Sequence, residues 1–209
     1  MPTATNTIRR CAFVISGFRQ GLGTRGAGTY RVWRALQGVA QPDDFVSLHR
    51  WNDDWGQVAD LVGLLQGEAE TPPRVLIAAY SWGAGWGAMR FARELARRGI
   101  EVEQMVLSDP VYRHPLWSLA WLALCGLPIT VPGNVRRVKW FRQTKNRPMG
   151  SRLRKNFAAL TKIDPAGVLD REHEWMDDAP EGYVACFNAW QSMHAPPAPN
   201  SASEQGTAA

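Results

Sequence analysis

Over one long interval the sequence has no acidic residue, cysteine is sparse, and no hydrophobic run is long. The N-terminal stretch MPTATNTIRR has none of the apolar core that a secretory signal needs. The longest uncharged stretch, Pro115 to Val135, is interrupted by Pro128, Pro132 and Gly133, so its continuous apolar part is too short to cross a bilayer. Cys11, Cys125 and Cys186 lie far apart without metal-ligand spacing. That usage points to a reducing compartment and to no metal site, so a cytoplasmic protein is expected. No Gly-Lys-Ser/Thr motif supports phosphate-loop chemistry. No Asp or Glu occurs between Asp109 and Asp164, an interval with eleven Lys or Arg, so the rest of a chain of net charge +5 is acidic. Nine of those cations fall between Arg136 and Lys155, with Trp140 and Phe141 among them. A polyanion-binding surface would look like this. Without a nucleic-acid motif the segment reads as a solvated strand edge and loop, and no nucleic-acid partner is expected.

The 209 residues are 45% apolar, which suits one domain burying about 70% of its unfolded surface. Ten tryptophans imply a large apolar core or an aromatic-lined cleft. The expected organisation is a flexible start over 1–8, a domain over 9–194 and a disordered tail over 195–209. Short apolar runs predict strands at Cys11–Ser16, Phe45–Arg50, Val75–Ala79, Gln104–Ser108 and Asn134–Gln143. Helical spacing falls between them: over Thr29–Gly38, after Asp53 or Asp54 with Val58, Leu61, Val62 and Leu65 inward, and up to about Arg98. Asp178 with Pro180 opens a last helix, and an irregular acidic stretch precedes it. Residues 115–133 are apolar enough for a lid, with Trp117 and Trp121 as candidate substrate contacts. The alternation predicts an α/β fold, a three-layer α/β/α sandwich on a mostly parallel sheet of about five strands. In such sheets ligands bind at the carboxyl ends of the strands, which puts Gly17, Arg50, Ser81 and Asp109 on one rim.

The most informative stretch is Val75 to Ala88, VLIAAYSWGAGWGA. An apolar run ends, a serine follows between small residues, and a glycine-rich helix begins. A nucleophile elbow requires that order, because the apex serine adopts a strained conformation and its neighbours two positions away must be small. Around Ser81 they are Ala79 and Gly83, giving A-x-S-x-G rather than G-x-S-x-G.

A serine hydroxyl needs a base, and the base needs an orienting group. Of the four histidines, His49 lies inside a predicted strand and His194 borders the tail. His173 is the preferred base, with His114 second. Asp109, in Leu107-Ser108-Asp109-Pro110-Val111, is the first acid after the next strand's end, and Pro110 stiffens its turn. Asp164, Asp170, Glu172 and Glu174 are alternatives. The backbone N–H groups of Trp82 and Phe18 are candidate oxyanion donors, with Gly17 allowing close approach and Arg19 a candidate substrate contact.

These residues resemble those of the α/β-hydrolase superfamily, in a compact lipase- or esterase-like form covering about residues 11–194. The strand–elbow–helix, the Gly17-Phe18 turn and the order Ser81, Asp109, His173 all match. The acid follows the strand next to the elbow strand, as in some lipases. The resemblance implies ester, thioester or amide hydrolysis through an acyl-enzyme. A small-molecule acyl ester or thioester is the expected substrate, and no cofactor is expected. Two other classes stand beside it. One is a non-catalytic binding protein on the same fold. The other is dinucleotide binding, through Gly21-x-Gly23-x-x-Gly26 or Gly83-x-Gly85-x-x-Ala88, although each pattern begins about four residues late for its strand.

Overall fold

The computed structural model describes residues 7–22, 26–67, 69–112, 127–156 and 159–195. Its centre is a parallel sheet in the order β2-β1-β3-β4-β6-β8, with β9 also pairing with β6. The long strands are β1 (Arg10–Ile15), β2 (Asp44–His49), β3 (Arg74–Tyr80), β4 (Val102–Ser108) and β6 (Val135–Arg142). Every pairing among them is parallel. Helices α1 (Gly28–Val39) and α4 (Pro180–Ser192) cover one face, while α2 (Trp55–Gln66) and α3 (Ala88–Arg97) cover the other.

The period of two along each strand divides the core. Phe13 and Ile15 of β1, with Ile77 and Ala79 of β3, pack towards Trp55, Ala59, Met89 and Phe91. Their neighbours Val14, Ala78 and Tyr80 pack towards Val32, Leu36, Cys186 and Trp190 on the opposite face. Strands β1 and β3 are buried on both faces, which is why they read as unbroken apolar runs. Among the described residues no helix is long and apolar enough to cross a membrane.

Several details differ from expectation. The stretch between β6 and α4 is not simply irregular. It carries β8 (Lys162–Ile163), β9 (Gly167–Val168) and a three-residue helical turn at His173–Trp175. Strands of two residues leave no periodicity to detect. A separate pair joins β5 (Ile129–Val131) to β7 (Leu153–Lys155), so the end of the expected lid segment is strand. The rest of that segment, with Trp117 and Trp121, lies outside the described residues, as do His114 and Cys125. Asp54 caps α2, accepting from the N–H groups of Gly56 and Gln57. Asp178 does not cap α4. Ala179 precedes Pro180 there, and Asp178 instead pairs with Arg31 of α1.

After β1 the chain runs outwards to β2, then returns across β1 to form β3 on its other side. The strand order therefore reverses between β1 and β3. In such sheets the ligand crevice lies outside the carboxyl ends of the strands at that reversal, where Gly17 and Ser81 follow β1 and β3.

Candidate functional site

Ser81 follows β3 directly, with φ of 55°, a left-handed conformation that is uncommon for any residue but glycine. The chain turns at once into a helix, through a π-helical turn at Gly83–Gly87 that leads into α3. Close packing explains the small residues. A Cβ on Gly83 would collide with the carbonyl oxygen of Ser16 and lie 2.9 Å from that of Ile15. Ala79 departs from the glycine pattern by one methyl, and it points into the α2/α3 side of the core, opposite Ile15 and Leu107. Gly83 and Gly85 are helical, so the turn itself belongs to Tyr80 and Ser81 and not to a phosphate-cradling glycine loop.

The hydroxyl of Ser81 lies 2.9 Å from Nε2 of His173, and Nδ1 of His173 lies 2.6 Å from Oδ2 of Asp109. All three residues are buried, Asp109 completely. With Nδ1 protonated and donating to Asp109, Nε2 is left as an acceptor for the serine proton. The three residues read from the sequence are thus one hydrogen-bonded chain, although 92 residues separate Ser81 from His173.

Residues that sequence reasoning missed hold this chain in place. The Gln143 backbone N–H donates to Oδ1 of Asp109, and its side-chain amide donates to Oδ2. Gly150 packs so closely on Asp109 that any Cβ there would strike the carboxylate. Asp109 also has a positive φ, 42°, and its N–H donates to the carbonyl of Phe141. The His173 N–H donates to Oδ1 of Asn146. The Tyr80 hydroxyl donates to the His173 carbonyl at 2.7 Å, and the two rings stack with centroids 5.2 Å apart. Burial, then the nearby carboxylates of Asp177 and Asp109, push the Tyr80 hydroxyl well above the ordinary phenol value, so it remains a donor. Tyr80 was legible only as the variable position before the serine. Gln143 and Asn146 carry no motif.

The Gly17–Gln20 turn faces the elbow. A Cβ on Gly17 would lie 2.7 Å from the Tyr80 ring and 3.0 Å from the Ser81 Cβ, so the turn approaches as closely as glycine permits. Phe18 projects from it, 39% exposed, and its ring packs 4.3 Å from that of Trp82. Trp51, just beyond β2, meets Trp82 edge-on at 5.3 Å. The Arg19 guanidinium lies 5.4 Å from the Phe18 ring centroid, and Arg19 has φ of 64°. Phe18, Trp51 and Trp82 thus form an aromatic wall beside the serine.

The other described histidines are engaged elsewhere. His49 bonds to Ser47 and Asp53, and burial lowers its pKa against the pull of Asp53. His194 faces Asp44 at 3.7 Å. Among the alternative acids, Asp164 pairs with Arg137 and Asp170 with Lys145, while Glu174 accepts from Asn146. Among the described residues no cluster of His, Cys, Asp and Glu is arranged to hold a metal ion.

No family model matches the chain. No curated protein matches it either. It is similar in structure to a solved protein described as "RedJ with PEG molecule bound in the active site", at 10% identity and a TM-score of 0.49, over 91% of this chain and 92% of that one. It is also similar to YbtT, described as a type II thioesterase from a yersiniabactin NRPS/PKS biosynthetic pathway, at 14% identity and a TM-score of 0.46, over 92% and 97% of the two chains. A serine-to-alanine mutant of YbtT gives 13% identity and a TM-score of 0.45, over 93% and 98% of the two chains. Likeness at this level names no activity for this chain.

Proposed function

We propose that the protein is a serine hydrolase of the α/β-hydrolase type, cleaving a small-molecule carboxylic ester or thioester through an acyl-enzyme. The observation that carries this reading is the continuous hydrogen-bonded chain from Ser81 through His173 to Asp109, with the serine held in a left-handed conformation at the strand-to-helix turn.

In the first half-reaction Oγ of Ser81 attacks the acyl carbon while Nε2 of His173 takes its proton. The carbonyl oxygen becomes an oxyanion, held by the backbone N–H groups of Trp82 and Phe18. Trp82 opens the helix after the elbow, where the helix dipole favours negative charge. Asp109 keeps Nδ1 protonated and balances the imidazolium charge. The tetrahedral adduct then collapses. The bond to the leaving oxygen or sulfur breaks, and His173 passes its proton to that atom. Water, deprotonated by His173, cleaves the acyl-enzyme in the same way and releases the carboxylic acid. The wall of Phe18, Trp51 and Trp82 suits an apolar or aromatic acyl group, with Gly17 and Arg19 beside it.

The catalytic domain in this reading spans residues 9–194. Cys11 and Cys186 are buried free cysteines, and their sparse, unclustered use is the ground for proposing a reducing compartment such as the cytoplasm. A fluorophosphonate probe tests the reading. The wild type should be labelled at Ser81 and Ser81→Ala should not. Folded wild type that takes no label and turns over neither p-nitrophenyl esters nor acyl thioesters would overturn it.

A further inference from the structure

A second hydrogen-bonded chain runs behind the Gly17–Gln20 turn, and the reaction steps above do not use it. The Gln20 side chain reaches back under its own turn, where Oε1 accepts from the Gly17 N–H at 3.0 Å and from the Thr29 hydroxyl at 3.2 Å. Nε2 of Gln20 donates to Oδ2 of Asp177 at 2.7 Å. The same carboxylate oxygen accepts the N–H of Gly28, the first residue of α1, at 2.9 Å. The turn is closed by the Gln20 N–H to the Gly17 carbonyl, and the Ser16 hydroxyl donates to the Gln20 carbonyl. Asp177 is only 8% exposed.

We propose that Gln20 and Asp177 form a latch that sets the Gly17–Gln20 turn, and hence the Phe18 N–H, at the position the oxyanion requires. They are positioning residues for the proposed hydrolase, and the inference rests on that reading.

Three features support a role beyond folding. The first is strain. Arg19 has φ of 64° inside this turn, a strained conformation for a non-glycine residue that persists only where its surroundings over-determine it. The latch supplies that determination from the turn's inner side. The second is orientation. The Gln20 amide accepts two donors at its oxygen and gives one bond from its nitrogen, so no flipped arrangement satisfies the same partners. The third is linkage. Asp177 lies four residues after His173, and the same short segment is pinned through the Tyr80 bond to the His173 carbonyl and the Ser108 bond to the Met176 carbonyl. One segment therefore carries the base and also ties down the oxyanion turn. If that segment shifts, both parts of the site are lost together.

The test uses the full chain, with ester turnover followed against pH and thermal unfolding followed in parallel. Gln20→Met keeps the length of the side chain and removes its bonds. It should lower kcat by about 10²-fold with KM little changed, because small misplacement of a transition-state donor costs about that much. Gln20→Glu gives a sharper readout. At acid pH the introduced carboxyl and Asp177 share one proton, and the turn is held. As pH rises that proton leaves, two like charges face each other, and kcat falls. The wild type has no such alkaline loss from this source. The titratable groups facing Asp177 are Asp178 and Tyr183 beside it and Tyr80 from β3, while Arg31 of α1 pairs with Asp178 and Tyr183. All of them are present in both proteins, so only the substitution distinguishes the profiles. Asp177→Asn, whose oxygen can keep both bonds, should retain more activity than Asp177→Ala. A wild-type kcat in Gln20→Met, a wild-type pH profile in Gln20→Glu, or lowered stability with unchanged kcat would each overturn the latch while leaving the hydrolase intact. Wild-type protein that is unlabelled at Ser81 and inactive would remove the hydrolase and the latch together.

Discussion

The two sides of the site are built differently. The serine side is made of backbone. Ser81 is held by a strand end, a helix start and glycines pressed against carbonyl groups and rings, all within a few residues. The acid and base side is made of side-chain hydrogen bonds. Asp109 and His173 are fixed by Gln143 and Asn146 of one loop and by Tyr80 at the end of β3, two separate parts of the chain. Backbone packing tolerates almost no change at its glycines. A hydrogen-bond network yields by degrees, because each bond contributes only about 1 kcal/mol net.

That contrast can be broken in the largest way at the reacting atoms. His173→Ala should lower kcat by roughly 10⁶-fold and Asp109→Asn by roughly 10⁴-fold, measured on an activated ester. Equal losses would mean that the aspartate is as indispensable as the base itself. Next, Gly17→Ala should cost more activity than Gln143→Ala. The alanine methyl meets the Tyr80 ring and Ser81, and the turn must move. Loss of the Gln143 amide leaves Asp109 with the backbone N–H of Gln143 and with His173. We expect kcat losses of about 10²-fold and about 10-fold respectively. The reverse order would show that the network side is the stiffer one. A smaller effect falls on selectivity. Trp51→Ala should shift the preference between aromatic and short aliphatic acyl esters by about 10-fold, the scale of 1–2 kcal/mol of lost ring contact. An unchanged preference would place the acyl group away from the wall.

Much of this was legible in the sequence, and the boundary follows the same contrast. The α/β alternation, the five long strands and the Ser81 turn rest on local patterns: apolar runs, helix spacing and small residues at fixed offsets. Asp109 was legible because it directly follows a strand and precedes a proline. His173 was reached by chain order, not by its surroundings. Gln143, Asn146 and Gln20 were invisible because a glutamine or asparagine on a loop looks the same whether it meets solvent or a buried carboxylate. Asp177 was hidden within an acidic stretch that reads as solvated, although the fold buries it. The short β8 and β9 carry too few residues to show a period.

The smallest expected effect concerns a histidine away from the site. Burial lowers the pKa of His49 below its ordinary 6.5. The unfolded chain then binds this proton more readily, so stability is complete above 6.5 and declines as pH falls through and below that value. His49→Gln should flatten this acid-side decline in the unfolding temperature, and an unchanged slope would assign the decline to other groups.

The separation between Ser81 and His173 also bears on how the protein is made. Domains form from the N-terminus during synthesis, and contacts between distant residues close late. Strands β1 to β4, the elbow and Asp109 all emerge before the segment that brings the base. A nascent chain stopped short of residue 173 carries the serine and the acid but no base between them, and it lacks Met176 and the α4 side chains that complete one face of the core. Turnover therefore reports a chain whose last segment has docked.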